Sequence, residues 1–126
     1  MTHFTDIRIF FCMTPTNMHS SFDGLMGQAQ ELFDQDPCSG HLFLFLNRKR
    51  DRVKILFWDQ DGFCIFYKRL EAGSFQLPQS AGGQQGVELS YTQLMRILNG
   101  LDLQTARRRR RYRRPSSKHA GTMQSV

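Results

Sequence analysis

Within the first third of the chain, the spacing of hydrophobic residues changes from that of a strand to that of a helix. Residues 7–12 read IRIFFC, and this short run of β-branched and aromatic residues predicts a strand. After Pro15, apolar residues recur every three or four positions, which predicts a helix with one apolar face. The members of that face are Met18, Phe22, Leu25, Met26, Ala29, Leu32 and Phe33. We expect Asn17 or Ser20 to cap this helix and Pro37 to lie just beyond its end.

The middle of the chain holds three apolar runs separated by short polar connections, which predicts three consecutive antiparallel strands. These runs are residues 41–47, 52–58 and 63–69. The Asp61-Gly62 pair predicts a tight turn with a positive φ between the last two strands. A short piece at 73–78, GSFQLP, should add an edge that stops at Pro78.

The rest of the chain predicts a loop, then a helix, and ends in a highly charged segment. Residues 79–86, QSAGGQQG, predict a loop, and Ser90 opens a second helix that stops near Gly100. Its apolar stripe comprises Leu94, Ile97, Leu98 and Leu101. The predicted fold class is therefore α+β: an antiparallel β-meander sheet with two short helices, followed by a disordered basic C-terminal tail.

Both faces of the predicted sheet are apolar, although an antiparallel sheet usually alternates apolar with polar residues. In the second meander strand, for example, Ile55 and Leu56 point to opposite faces. Two short helices can cover one face, so the other needs the N-terminal strand, a second copy of the chain, or a partner. We therefore expect a partner interface that contains Leu56, Trp58 and Phe66, because an exposed apolar patch usually marks a contact surface.

The charge is divided unevenly along the chain, whose formal net charge is +6. Residues 1–106 carry nine Lys or Arg against eleven Asp or Glu, whereas residues 107–126 carry eight Lys or Arg and no acid. We expect a compact domain over 1–106 and a disordered Arg-rich tail over 107–126. Such an asymmetry indicates a polyanionic partner, above all nucleic acid.

Basic residues also gather inside the domain, at the connection NRKRDR and at the end of the third meander strand. We expect them to join the tail in contacting the phosphate backbone of DNA, because arginine matches phosphate geometry. The proposed nucleic-acid-binding residues are Arg48, Lys49, Arg50, Arg52, Lys68, Arg69, Arg107, Arg108, Arg109, Arg110, Arg111, Arg113 and Arg114. The alternative is a solvated hairpin tip whose charge prevents edge aggregation.

Catalytic and metal-binding patterns are weak. A cluster of Asp59, Asp61 and Glu71 would suit a small nuclease-like enzyme, but aspartate beside glycine is ordinary turn chemistry. The three cysteines form no Cys-x-x-Cys pair, and the four histidines lack zinc-ligand spacing. We therefore expect no enzyme activity, no cofactor and no metal. The N-terminus does not read as a signal peptide and no apolar run could span a membrane, so we expect a cytoplasmic protein.

The central run DPCSGHLFLFLNRKRDRVKILFWDQDGFCIFYKRLEAGSFQLP closely resembles the accessory protein TnpB, the second open reading frame product of the insertion sequence 66 family of bacterial transposable elements. The resemblance covers most of residues 4–114. One departure is Asn17-Met18-His19-Ser20, where the family has Asp-Met-Arg-Lys and therefore two more basic side chains.

The resemblance implies a small helper of transposition, since in that family the strand-transfer chemistry belongs to a separate, larger transposase. The leading hypothesis is a non-enzymatic accessory protein that contacts DNA, the transposase, or both, with self-association left open. The alternatives are the small enzyme described above and a pure protein adaptor whose tail adds only non-specific affinity.

Overall fold

The computed structural model of the protein describes residues 7–78 and 83–99. These residues form a five-stranded sheet and two α-helices, with one short 3-10 turn at Pro37–Ser39. The elements are β1 (Ile9–Cys12), α1 (Phe22–Phe33), β2 (Leu42–Leu46), β3 (Arg52–Trp58), β4 (Phe63–Arg69), β5 (Gly86–Leu89) and α2 (Tyr91–Asn99). The α+β class with two helices is thus confirmed.

The sheet is mixed, so the prediction of a purely antiparallel meander is wrong. Strands β2, β3 and β4 do follow one another as antiparallel neighbours. Strand β1, however, pairs with β2 in parallel, and β5 pairs with β1 antiparallel. The resulting order is β4-β3-β2-β1-β5. Parallel neighbours need a long crossover, which here contains α1.

The fourth edge piece predicted at 73–78 is not a strand. The segment instead runs beneath the sheet, where Phe75 is fully buried and its N–H donates to the carbonyl of Arg50 at 2.7 Å. The additional strand is β5, which lies in a stretch where no strand was predicted. The turn between β3 and β4 also differs from the prediction, since the positive φ belongs to Gln60 and not to Gly62.

The two helices lie on opposite faces of the sheet, which corrects the expectation that both would cover one face. Helix α1 packs Leu25 and Ala29 over one face, against residues of β1, β2 and β3. Helix α2 packs Leu94 and Ile97 over the other, together with Phe75. The N-terminal strand lies inside the sheet and covers neither face. Strands β1 and β2 are therefore buried on both sides, which explains their continuous apolar sequences.

The helix starts follow local hydrogen bonds. Helix α1 begins at Phe22, later than its apolar period suggested, and its N-cap Ser21 makes no side-chain cap bond. Asn17 instead accepts the N–H of His19 at 2.8 Å, which closes a turn before the helix. At α2, Ser90 and Gln93 cap each other: Oγ accepts the Gln93 N–H at 3.1 Å and Oε1 accepts the Ser90 N–H at 2.8 Å. Neither helix in this described part of the chain is long and apolar enough to cross a membrane.

Candidate nucleic-acid interface

Three basic residues, Arg48, Lys49 and Arg50, form the tip of the β2–β3 hairpin, and we call them the basic tip. All three are exposed. Asn47 organises the loop: its Oδ1 accepts the N–H groups of Asp51 and Arg52, both at 3.0 Å, and its Nδ2 donates to the Asp51 carboxylate at 2.6 Å. The basic side chains are therefore displayed from an ordered loop.

The basic tip is also tied to the chain that follows β4. The Leu70 N–H donates to the carbonyl of Asp51, and the Phe75 N–H donates to that of Arg50, both at 2.7 Å. Because Phe75 is fully buried, these bonds connect the loop to the core. Arg50 itself has a φ of 61°, a left-handed conformation that costs a non-glycine residue energy.

Beside the basic tip, β3 and β4 bring two arginines together. Arg52 and Arg69 are direct cross-strand partners. The Arg52 carbonyl accepts the Asn47 N–H at 3.2 Å and so faces β2, which makes Arg52–Arg69 a non-hydrogen-bonded pair with closely spaced side chains. Tyr67 completes a small surface that we call the sheet patch: Arg52, Tyr67 and Arg69. Its open hollow has a volume of about 310 Å³.

The positive charge of the sheet patch is only partly neutralised. Arg69 donates to Glu71 at 2.9 Å in a pair in which both side chains are about half exposed. Arg52 donates to the Tyr67 hydroxyl at 3.4 Å, which satisfies a donor without cancelling charge. Like charges directly opposite each other destabilise a sheet, so an anion between the two guanidinium groups would relieve that repulsion.

Lys54 is part of this neighbourhood and was missed by the sequence reasoning. It is only 7% exposed, and its ammonium donates to the carbonyls of Met18 and Ser20, both at 2.8 Å. The same ammonium lies 4.8 Å from the centre of the Tyr67 ring. Lys54 thus fixes the segment before α1 against the sheet and makes a cation–π contact with its cross-strand partner Tyr67. A lysine inside an apolar strand was the signal that could have revealed it.

Lys68 does not join the sheet patch, although it precedes Arg69 in sequence. It pairs with Val53, so its side chain lies on the α2 face. Its ammonium donates to the carbonyl of Leu98 at 3.4 Å, in the last turn of α2. The end of α2 therefore lies next to the strand end that carries Arg69.

A cleft of about 220 Å³ lies behind the basic tip, between the carboxyl ends of β1 and β2. Arg48, Arg50 and the backbone near Cys12 line it. Burial raises the pKa of the Cys12 thiol, and its Sγ donates to the carbonyl of Thr14 at 3.3 Å. A protonated, hydrogen-bonded thiol is a poor nucleophile, so the cleft offers positive charge and not thiol chemistry.

The predicted partner interface of Leu56, Trp58 and Phe66 is not one surface. Leu56 is fully buried beneath α1, and Trp58 packs against Phe63 with ring centres 5.0 Å apart. Phe66 pairs with Ile55, which puts it on the opposite face, where it is 46% exposed. The error lay in the register of the hairpin, because a shift of one residue exchanges the faces.

The three carboxylates of the enzyme hypothesis do not meet. Asp59 and Asp61 are exposed in the turn at one end of the β3–β4 hairpin. Glu71 follows β4 at the other end and pairs with Arg69. Within residues 7–78 and 83–99, no group of three His, Cys, Asp or Glu side chains could hold a metal ion. The arginines predicted in the tail, at 107–111 and 113–114, lie outside the described residues.

One family model and two curated relatives match the chain. The model of the IS66 Orf2-like proteins matches residues 7–108. Two uncharacterized proteins of Sinorhizobium fredii are similar to the chain. One, y4hO, is 33% identical over 77% of this chain and 83% of its own length, and the other, y4jC, is 27% identical over 82% and 86%. No solved structure matches. The resemblance seen in the sequence is thereby confirmed: the chain belongs to the IS66 Orf2-like family, which supports an accessory role in insertion-sequence transposition.

Proposed function

We propose that the protein is a non-enzymatic accessory factor of transposition that binds DNA through phosphate contacts. The basic tip, the two arginines of the sheet patch and the Arg-rich segment 107–114 would share one DNA backbone. Their contacts would be independent of base sequence, since phosphate contacts position a protein without reading bases.

The observation that carries this proposal is the pairing of Arg52 with Arg69. Two guanidinium groups on facing positions of a sheet repel each other, and within residues 7–78 and 83–99 only Arg69 has a carboxylate partner. A phosphate between them would accept hydrogen bonds from both planar forks. The arrangement costs stability in the free protein, which is typical of residues retained for binding.

The position of the basic tip strengthens the argument. Arg50 leads through Asp51 into Arg52, so the basic tip continues the sheet patch along the chain. Successive phosphates of one DNA strand could therefore contact the tip and the patch in turn. The hydrogen bonds that Asn47 accepts from Asp51 and Arg52 hold the loop in place before binding, which lowers the entropic cost of complex formation.

The Arg-rich segment can reach the same ligand. The Lys68–Leu98 contact brings the end of α2 close to the sheet patch. Arg107 follows Asn99 by only eight positions, and an extended chain spans at most about 3.6 Å per residue. Arg107 must then lie within roughly 29 Å of Asn99, a distance that a bound DNA segment readily covers.

The sharpest test changes Arg52 and Arg69 to Gln in the full chain and measures duplex DNA binding over a range of salt concentrations. Each lost phosphate contact should make the log–log salt slope shallower by about 0.9, so the double variant should lose about 1.8. The matched control is Arg8→Gln, compared with Arg69→Gln alone, because each change removes one positive charge and one half-exposed ion pair. Arg8 lies just before β1, at the end of the sheet opposite the basic tip. Equal effects of these two single variants would reduce the proposal to general charge attraction.

The second proposed partner is the transposase of the element, which follows from the accessory role of the family. The test is retention of the cognate transposase on the immobilised full chain, with and without DNA carrying an element end. Retention that depends on this DNA fits a shared nucleoprotein complex. Retention without DNA that also survives loss of Arg52 and Arg69 supports the adaptor alternative.

A further inference from the structure

We infer that the protein forms a two-fold dimer in which the β4 strands of two copies pair antiparallel, with Phe66 at the centre. The proposal does not depend on DNA binding. It rests on the position of β4 at the edge of the described sheet, the register of its hydrogen-bonding groups and the residues that the pairing would bring together.

Strand β4 is the long, open edge of the sheet. It has seven residues and no proline, and among the described residues it pairs with β3 alone. The opposite edge strand, β5, has only four residues and carries the charged Glu88. Short strands and charges protect an edge from further pairing. On β4 the charges, Lys68 and Arg69, are confined to one end, and the preceding uncharged residues 63–67 invite pairing.

The backbone groups of β4 alternate in direction. The Leu70 N–H donates to the Asp51 carbonyl, so even-numbered residues of β4 face β3 and odd-numbered residues face outward. The outward residues are Phe63, Ile65, Tyr67 and Arg69. In a dimer centred on Phe66, Ile65 lies opposite Tyr67 of the second copy and Phe63 lies opposite Arg69. Every outward residue of the strand then has an outward partner, and Phe66 meets its own copy in a non-hydrogen-bonded pair.

The side chains fit this register. Phe66 is 46% exposed in the single chain and would be covered by the Phe66 of the second copy. Aromatic pairs across such positions stabilise sheets. Each Arg69 would lie beside a Phe63 ring, a favourable cation–π arrangement. A centre at Lys68 would put two ammonium groups in contact, so the charge pattern favours the register centred on Phe66.

The test uses oxidation to a disulfide in the full chain. The Phe66→Cys variant is made with Cys38 and Cys64 changed to Ser, because these thiols are not deeply buried. Facing residues of a non-hydrogen-bonded pair have Cα atoms about 4.5 Å apart, within disulfide range. We expect Phe66→Cys to form a covalent dimer of twice the 14.7 kDa chain.

The matched control is Tyr67→Cys, which is 48% exposed and lies one position along the same strand. Its two copies would be diagonal neighbours about 7–8 Å apart, too far for a disulfide. Tyr67→Cys should cross-link poorly alone but efficiently when mixed with Ile65→Cys.

Three outcomes overturn the inference. Equal cross-linking of Phe66→Cys and Tyr67→Cys would indicate random collision. Failure of the Ile65→Cys and Tyr67→Cys mixture would exclude the register. A monomeric mass for the unmodified chain in sedimentation would exclude the dimer and would favour pairing of β4 with a strand of a different protein. As a check without cysteine, Phe66→Lys should abolish the dimer, whereas Tyr91→Lys, at an aromatic that is 69% exposed on α2, should not.

Discussion

Two basic residues of the β2–β3 hairpin have a conformation or a position that the stability of the fold alone does not explain. Arg50 occupies a left-handed conformation that glycine or asparagine adopts more easily. The ammonium of Lys54 lies in a nearly buried position, where it donates to two carbonyls. Both concentrate positive charge around Tyr67 and the basic tip. Such local conflicts are expected where a protein binds a ligand.

Replacing Arg50 by glycine should separate stability from binding. Relief of the left-handed strain should leave the free energy of unfolding unchanged or raise it by up to about 1 kcal/mol. DNA affinity should fall, and the salt slope should become shallower by about 0.9 if one phosphate contact is lost. Urea denaturation and DNA titration measure the two effects.

The matched control for Arg50→Gly is Gln60→Gly, because Gln60 has a φ of 63° in the turn at the other end of the sheet strands. Gln60→Gly should change the free energy of unfolding by a similar amount and should not change DNA affinity. A clear loss of stability in Arg50→Gly, or full DNA affinity in that variant, would contradict the role given to Arg50.

At the scale of elements, the side chain of Phe33 at the end of α1 packs closely on β5. Gly86 pairs with Cys12 at the start of β5, and the ring of Phe33 lies directly over it. Phe33 in turn packs in a tilted arrangement against Phe10 and Phe43, at ring-centre distances of 5.1 and 5.9 Å. The last turn of α1 therefore reaches the edge strand only because residue 86 has no side chain.

Gly86→Ala should destabilise the protein by about 1–3 kcal/mol, since the new methyl group would overlap the Phe33 ring in a packed region. Gly27→Ala is the contrasting change, because an added Cβ there meets nothing and lies in a helix interior. It should stabilise by about 0.5–1 kcal/mol. Chemical denaturation followed by Trp58 fluorescence measures both, and a neutral Gly86→Ala would show that α1 does not pack on β5 in this way.

Periodicity predicted most elements but not how they assemble. Strands β2, β3 and β4 follow from short apolar runs, and the start of α2 follows from the capping residue Ser90. Strand β5 has only four residues, too few for alternation to distinguish it from a loop. The parallel pairing of β1 with β2 is a long-range choice, decided by burial of both sheet faces and not by any local signal. It also determines which face each helix covers.

For the same reason, only part of the candidate interface could be predicted from the sequence. The basic tip is visible as a run of charge, whereas the convergence of Arg52 with Arg69 needs the register of the β3–β4 hairpin. The separation of Lys68 from Arg69 follows from strand alternation once that register is known. The contacts of Lys54 depend on the position of the segment before α1. They could not be predicted, because the helical period had wrongly extended α1 back to Met18.

At the scale of the whole molecule, positive charge is concentrated at one end of the sheet. The basic tip, the sheet patch and the end of α2 are linked there by the Leu70–Asp51, Phe75–Arg50 and Lys68–Leu98 contacts. The acidic turn with Asp59 and Asp61 lies at the opposite end of β3 and β4. A DNA backbone would thus be attracted to one end, on the sheet face that carries Tyr67 and Arg69, whereas Phe66 at the centre of the proposed dimer lies on the opposite face of β4.

The central claim is that the folded domain and the Arg-rich segment bind one DNA backbone. It is tested most directly by the salt dependence of DNA binding for the full chain and for a chain that ends at Ala106, with circular dichroism as a check of folding. Engagement of about five arginines beyond Ala106 would contribute a log–log slope of about −4 to −5. The shortened chain should lose most of that slope but retain a shallower one. Changing Arg48, Lys49, Arg50, Arg52 and Arg69 to Ser in the shortened chain should then remove the remainder, whereas a slope that these changes leave unaltered would contradict the account.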